Sequence, residues 1–215
     1  MTSQPAATFA RLISKEGEAD MFQVRIHGRG GQGVVSGAEM LSIAAFIGGK
    51  HAQAFPSFGS ERTGAPVVAF CRIADAPIRL REPIMAPDAL IIQDPTLLHQ
   101  VDVFSGLKRD GYILINTAKS FDALGLAEFV KGFLPERLLT VPASELAIKH
   151  VGRPLPNAAL LGAFAALGGV ITLDAVQRAI EGRFAGAVAR GNVAAAAEAY
   201  RIVLEQEQLA EVPHA

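Results

Sequence analysis

The stretch Gly28-Arg29-Gly30-Gly31-Gln32-Gly33 places four glycines directly ahead of an apolar run. The Gly-x-Gly-x-x-Gly spacing suits an anion. A loop of this kind before a helix aims unpaired N–H groups and the positive end of the helix dipole at one point, and the missing side chains let a phosphate reach the backbone. A dinucleotide site wants more: an acidic residue about 20 positions further on, at the end of the second strand, to hold the ribose hydroxyls. The candidate second strand, "HAQAF", carries none; Glu39 comes too early and Glu61 too late. A stand-alone NAD(P)-binding protein therefore stands as an alternative with one part missing. Tight packing of strand on helix, with no ligand, is the third use of such glycines.

A second stretch, "AQAFPSFGSERTGAPVVAF", sets Ser60, Glu61, Arg62 and Thr63 among glycines and prolines just before a strongly apolar run. Phe55 and Phe58 beside the Glu61–Arg62 pair form either a docking surface or a small core beneath a long loop. Nothing in the chain completes an acid–base or nucleophilic set. The five histidines have no metal-ligand spacing, and no Gly-x-Ser-x-Gly elbow, Walker loop or zinc motif occurs. Asp94 and Asp102 flank a short helical stretch and read as surface carboxylates. Cys71 is the single cysteine and sits in an apolar run, so it reads as a buried, inert thiol. An iron–sulfur cluster usually takes four thiolates, roughly three more than are present.

The elements that must position these loops follow from periodicity. "MFQVRIHG" alternates, with Phe22, Val24 and Ile26 on one face and Gln23, Arg25 and His27 turned toward something polar. Val34, Ala38, Leu41 and Ala45 recur at helical spacing, and Gly48-Gly49 stops that helix. "HAQAFP" and "APVVAFCRIA" read as strands, with "APIRL" pairing back onto the latter. "DALIIQD" and "GYILINT" read as strands buried on both faces, and "RLLTVPAS" as one more. "TLLHQVDVFSGLK" and "LAEFVKGF" read as the helices between them. From Ser144 onward the pattern is helical. Ser144 starts one helix, Asn157 a second, and Thr172 a third with Leu173, Val176, Ile180 and Phe184 in a stripe; Asn192 begins the last. The sum is an α/β fold, a mostly parallel sheet flanked by helices with a helical C-terminal segment. Residues 1–20 read as an N-terminal extension, 21–208 as one domain and 209–215 as a tail.

With 215 residues, half of them hydrophobic and 19% charged, the chain can bury a sizeable core. A net charge of −1 offers no footprint for nucleic acid. The longest nearly apolar run, "AALLGAFAALGGVITL", falls short of the roughly 20 residues that span a bilayer and is broken at Gly168-Gly169. The N-terminus lacks a signal-peptide pattern, and one cysteine suits a reducing compartment, so the expectation is a cytoplasmic protein without membrane insertion.

Six blocks stand in a particular order: "GRGGQGVVSGAEMLSIAAF", "KHAQAFPSFGSERTGAPVVAFCRI", "IRLREP", "PDALIIQDPTLL", "GYILINT" and "NAALLGAFAALGG". In that order they resemble the gamma subunit of the pyruvate (2-oxoacid):ferredoxin oxidoreductase family, from about Phe22 to Tyr200. The resemblance implies a complex that oxidatively decarboxylates a 2-oxoacid such as pyruvate or phenylglyoxylate to an acyl-CoA. Thiamine diphosphate and Mg2+, with [4Fe-4S] clusters, would sit in alpha, beta and delta partner subunits. Electrons would pass to ferredoxin, flavodoxin or another acceptor, including NAD through an extra flavin subunit. The gamma chain would bind no redox group alone and would lie near coenzyme A. By the same resemblance Gly28, Arg29, Gly30, Gly31, Gln32 and Gly33 would face the cofactor cavity or a coenzyme A phosphate. Ser60, Glu61, Arg62 and Thr63 would line the interface with the thiamine-binding subunits. Thr63 departs from the family, where a second basic residue commonly follows the arginine. Asn157 would either cap its own helix or bond the glycine loop.

Overall fold

The computed structural model describes residues 21–57, 63–167 and 169–210. Six strands form one sheet: β1 (Met21–Arg29), β2 (His51–Pro56), β3 (Pro66–Ala74), β4 (Ala89–Ile92), β5 (Tyr112–Asn116) and β6 (Leu138–Val141). Their order is β2-β3-β1-β4-β5-β6. β1, β4, β5 and β6 pair in parallel, while β3 runs antiparallel to both β1 and β2. The sheet is thus mostly parallel, as its apolar runs imply. Every residue of β4 and β5 is buried, which is what two covered faces require.

One face is covered by helices: α1 (Val34–Ile47), α3 (Ala143–Val151), α4 (Asn157–Ala166), α5 (Leu173–Arg183) and α6 (Gly186–Ala210). Val24, Ile26, Ala69, Cys71, Ile91 and Leu114 meet them in the main core. All ten residues of α4 are buried, and apart from Asn157 it is apolar all round because it lies between sheet and α6. Gly162 permits that approach: a Cβ there would overlap the backbone carbonyl of Ala196. Thr172 caps α5 by accepting from the Ala175 N–H at 3.2 Å, as its position implies.

Among the described residues the opposite face has little regular cover. Ile92, Ile113 and Ile115 pack against Leu97 and Val103, joined by Phe104, Phe121 and Phe133. The only α-helix among the described residues of this layer is α2 (Ala127–Val130), four residues long. "LAEFVKGF" forms no more than that, since Gly132 and Pro135 follow at once. "TLLHQVDVFSGLK" gives a 3-10 turn at Pro95–His99 and then irregular chain, with Gly106 at a φ of 71°. "APIRL" adds no strand; residues 76–81 run as exposed or half-exposed coil. Three other expectations shift. Ser144 lies inside the first turn of α3 and bonds Asn116 instead of capping. α6 begins at Gly186, so Asn192 is mid-helix and donates to Val188 O at 2.9 Å. It extends to Ala210, past residue 208.

The polar face of β1 is also buried. Arg25 and His27 are 7% and 6% exposed. Arg25 Nε donates to His27 Nε2 at 2.9 Å, and Nη2 donates to Val103 O at 2.8 Å and Ser105 O at 2.6 Å. Burial, with the Arg25 charge adding to it, pushes the His27 pKa from 6.5 to about 3, so the ring is neutral. Phe55 is half-buried, which suits the small core beneath the loop rather than a docking surface: it packs on Phe70 at 5.2 Å between ring centres and lies under the Arg72 guanidinium. Phe58 lies outside the described residues. Burial raises the Cys71 thiol far above its ordinary pKa, so it is inert as expected.

Candidate functional site: the glycine loop and the ends of β1 and β4

The chain leaves β1 for β2 and β3 on one side of it, then returns to β4 on the other. In open α/β sheets such a switch point, at the C-terminal ends of the strands, is where loops part and ligands enter. The glycine loop occupies that place. Gly28 and Arg29 end β1, and Gly33 precedes α1 at a φ of 73°, a left-handed conformation that favours glycine. A Cβ on Gly28 would meet Val34 at 2.6 Å and the Gln93 amide oxygen at 2.9 Å; one on Gly33 would meet the Asn157 amide nitrogen at 2.6 Å. Two of the three fingerprint glycines therefore serve close packing.

The loop's own N–H groups are partly used. Arg29 N–H donates to Gln32 Oε1 at 2.8 Å, Gly30 N–H to Ala65 O at 2.9 Å, and Gln32 N–H to Arg29 O at 3.0 Å. Among the described residues nothing accepts from the amides of Gly31, Gly33 and Val34 at the start of α1. These are the groups open to an anion.

Arg29 is engaged as well. Its Nε meets Asp94 Oδ2 at 3.0 Å, Nη1 meets Gly64 O at 3.0 Å, and Nη2 meets Thr96 Oγ1 at 2.6 Å and Gln100 Oε1 at 2.9 Å. Asp94, read from sequence as an unpartnered surface carboxylate, is the hub. It also accepts from Gln32 Nε2 at 2.9 Å, from Thr96 N–H at 3.0 Å and from Thr96 Oγ1 at 2.6 Å. Its burial opposes the charge, but the hydrogen bonds from Thr96 and Gln32 and the nearby Arg29 outweigh that and hold its pKa below the usual carboxylate value.

Asn157 resolves its two options in favour of the loop. It begins α4 without capping it, donates to Gln32 O at 3.2 Å, and accepts from Gln93 Nε2. Thr63 stands exposed in a bridge to Gly30, and Gly64 N–H donates to Gly30 O at 3.0 Å. Ser60, Glu61 and Arg62 lie outside the described residues. Sequence reasoning missed Gln93, Thr96 and Gln100 and misjudged Asp94. The available signal was a polar pair, Gln93-Asp94, directly after the buried run of β4, where strand ends build sites.

The sheet order bears on the dinucleotide alternative. That site needs the strand after the first helix beside β1, so that its terminal acid reaches the ribose. Here β3 stands between β1 and β2, and β2 has no acid. No group of three or more His, Cys, Asp or Glu among the described residues is placed to hold a metal ion. No helix among them is long and apolar enough to cross a membrane.

Comparison with known proteins agrees with the ordered blocks. The sequence profile of the family described as pyruvate ferredoxin/flavodoxin oxidoreductase matches residues 23–202. The chain is 45% identical to the pyruvate/ketoisovalerate oxidoreductases common subunit gamma of Pyrococcus abyssi, over 89% of this chain and 100% of that one. It is 51% identical to pyruvate synthase subunit PorC of Methanosarcina barkeri, over 74% of this chain and 85% of that one. The crystal structure of pyruvate oxidoreductase subunit PORC from Thermotoga maritima superposes with a TM-score of 0.71 at 36% identity, covering 84% of this chain and 96% of the other. A 2-oxoglutarate:ferredoxin oxidoreductase from Magnetococcus marinus shares the fold at 17% identity and a TM-score of 0.66, over 92% of this chain and 32% of its own. The chain belongs to the pyruvate ferredoxin/flavodoxin oxidoreductase family, as a gamma-type subunit.

Proposed function

We propose that this chain works in the cytoplasm as the gamma subunit of a thiamine-diphosphate-dependent 2-oxoacid:acceptor oxidoreductase, and that its glycine loop forms a wall on the coenzyme A side of the active site. The observation that carries this reading is that the amides of Gly31, Gly33 and Val34, at the N-terminus of a fourteen-residue helix, have no acceptor among the described residues. Coenzyme A is a phosphate-rich substrate, and amides of this kind recognise phosphate oxygens through the backbone alone. The names of the relatives favour pyruvate or a branched 2-oxoacid over phenylglyoxylate. Thiamine diphosphate with Mg2+ and the [4Fe-4S] clusters belong to alpha, beta and delta partners, because one cysteine and no acid–base set leave this chain without means for the redox steps. Those partners pass electrons to ferredoxin or another acceptor. Thr63, with Ser60, Glu61 and Arg62, faces the thiamine-binding subunits.

The test is the assembled complex carrying Gly31→Ala. Gly31 has a φ of 93° and, among the described residues, the nearest atom to an added Cβ is Thr63 Cγ2 at 3.9 Å, so a methyl there strains the loop backbone. The KM for coenzyme A is expected to rise at least about tenfold, equivalent to about 1.4 kcal/mol. The KM for the 2-oxoacid stays near its starting value. An assembled complex with unchanged KM for coenzyme A removes the wall. A chain that purifies with no thiamine-dependent partner removes the subunit reading.

A further inference from the structure

The glycine loop would be a poor cradle if it were free. Glycine loses more conformational freedom on ordering than any other residue, so a loop with four in six residues is costly to order, and a ligand that had to supply that ordering would bind weakly. The structure orders the loop in advance, and it does so from three directions. Asp94, just past β4, receives Arg29 and the Gln32 side chain. Asn157, at the start of α4, holds the Gln32 carbonyl and is itself held by Gln93. Residues 64–65 clasp Gly30 through two backbone hydrogen bonds and take an Arg29 N–H at Gly64 O.

Arg29 is the common member. Of the five N–H donors a guanidinium carries, four go to acceptors of this chain: a carboxylate, a backbone carbonyl, a hydroxyl and a side-chain amide. The arginine side chain is 20% exposed and the Asp94 side chain 13%. A cation committed in this way has no fork left to offer a phosphate.

We propose that Arg29 and Asp94 are a positioning pair, a latch across the switch point between β1 and β4 that fixes where the Gly31, Gly33 and Val34 amides point, and that Arg29 is not the counter-ion of the bound anion. This rests on the reading that coenzyme A meets the loop. The latch reverses the obvious role of the loop's one charged residue: the backbone recognises the ligand, and the side chain holds the backbone.

The experiment is a double-mutant cycle in the assembled holo-complex, with Arg29→Lys, Asp94→Asn and the pair, reading kcat and the KM values for coenzyme A and the 2-oxoacid. Lysine keeps the charge but cannot serve separated acceptors as a planar fork does. Each single change is expected to raise the KM for coenzyme A about tenfold, with a much smaller effect on kcat and on the KM for the 2-oxoacid. The double change is expected to be no worse than the worse single one, since both remove the same contact. Thr96→Val, a milder change that keeps both charges, should raise the KM for coenzyme A roughly threefold and serves if the charge variants fail to assemble. If Asp94→Asn leaves that KM unchanged or lowers it while Arg29→Lys raises it, Arg29 touches the anion and the latch is overturned. Parallel losses of kcat and thermal stability without a shift in KM also overturn it, because they mark a purely structural role. Gly31→Ala separates the two levels. No response to it removes the coenzyme A reading and the latch together; a response to it with silence at Arg29, Asp94 and Thr96 removes the latch alone.

Discussion

The two faces of the sheet are built by different rules. On the helical face the cover brings its own backbone hydrogen bonds, so the contact can be made of small apolar side chains: Ala158, Ala159, Ala163, Ala195, Ala196 and Ala199 are all nearly or fully buried. On the other face the cover is irregular chain, whose carbonyls have no such partners. Two arginines of the sheet supply donors. Arg25 donates to Val103 O and Ser105 O, and Arg72 to Glu82 O. A buried carbonyl needs a donor from somewhere, and where helices are absent the sheet itself sends one up. The polar alternation of β1 is therefore a structural device for holding loops down.

The comparison can be broken most sharply at Gly162. Gly162→Ala gains helix propensity but forces the α4 and α6 backbones apart, so the unfolding midpoint in denaturant should reveal a loss of about 3 kcal/mol or more. If the variant is as stable as the parent, the alanine-lined face is looser than described. On the opposite face, Arg25→Met keeps the bulk of the side chain and removes the donors. Two carbonyls and the His27 ring lose their partner, at about 2–3 kcal/mol, and amide exchange should quicken around residues 101–107 and not in the helices. Uniform exchange across both faces would mean that the arginine does not hold that loop.

The smallest effect concerns pH. The unfolded chain takes up a proton at His27 near pH 6.5, whereas the folded chain resists until about pH 3. Stability from this group is thus present above 6.5 and declines as pH falls below it, by about 2 kcal/mol between pH 7 and 5. His27→Gln retains an acceptor for Arg25 and should flatten that part of the stability profile. A variant with the same slope as the parent would assign the pH dependence to other groups.

These faces also explain what was legible in the sequence. Helical cover imposes a 3.6-residue period and parallel strands impose apolar runs, so α1, β4, β5 and the stripe of α5 could be read directly. Irregular cover imposes no period. Arg25 reaches carbonyls 78 and 80 positions away, and nothing local to "VRIHG" distinguishes that from solvent. The site divides in the same way. The glycine loop is a local signal, because its chemistry lies in consecutive amides. Its supports lie 62 to 125 residues away, at Asp94 and Asn157, which is why Asp94 looked unpartnered and Asn157 kept two options. The helix expected over residues 96–108 failed for a related reason: Asp94 caps only a short 3-10 turn, and the chain must then descend to meet Arg25.

One strand's direction has a further consequence. Because β3 runs against its neighbours, the connection from β2 turns back at the same rim of the sheet where β1 and β4 finish, and its return arm, residues 63–65, arrives beside Gly30. Had β3 run with the others, the chain would have needed a crossover of a dozen or more residues, and the turn would have fallen at the far rim. A single reversal thus brings a second segment of chain to the rim that carries the glycine loop. Residues 63–65 enter the site from β3, so the antiparallel registers of β3 with β1 and β2 fix where they meet Gly30.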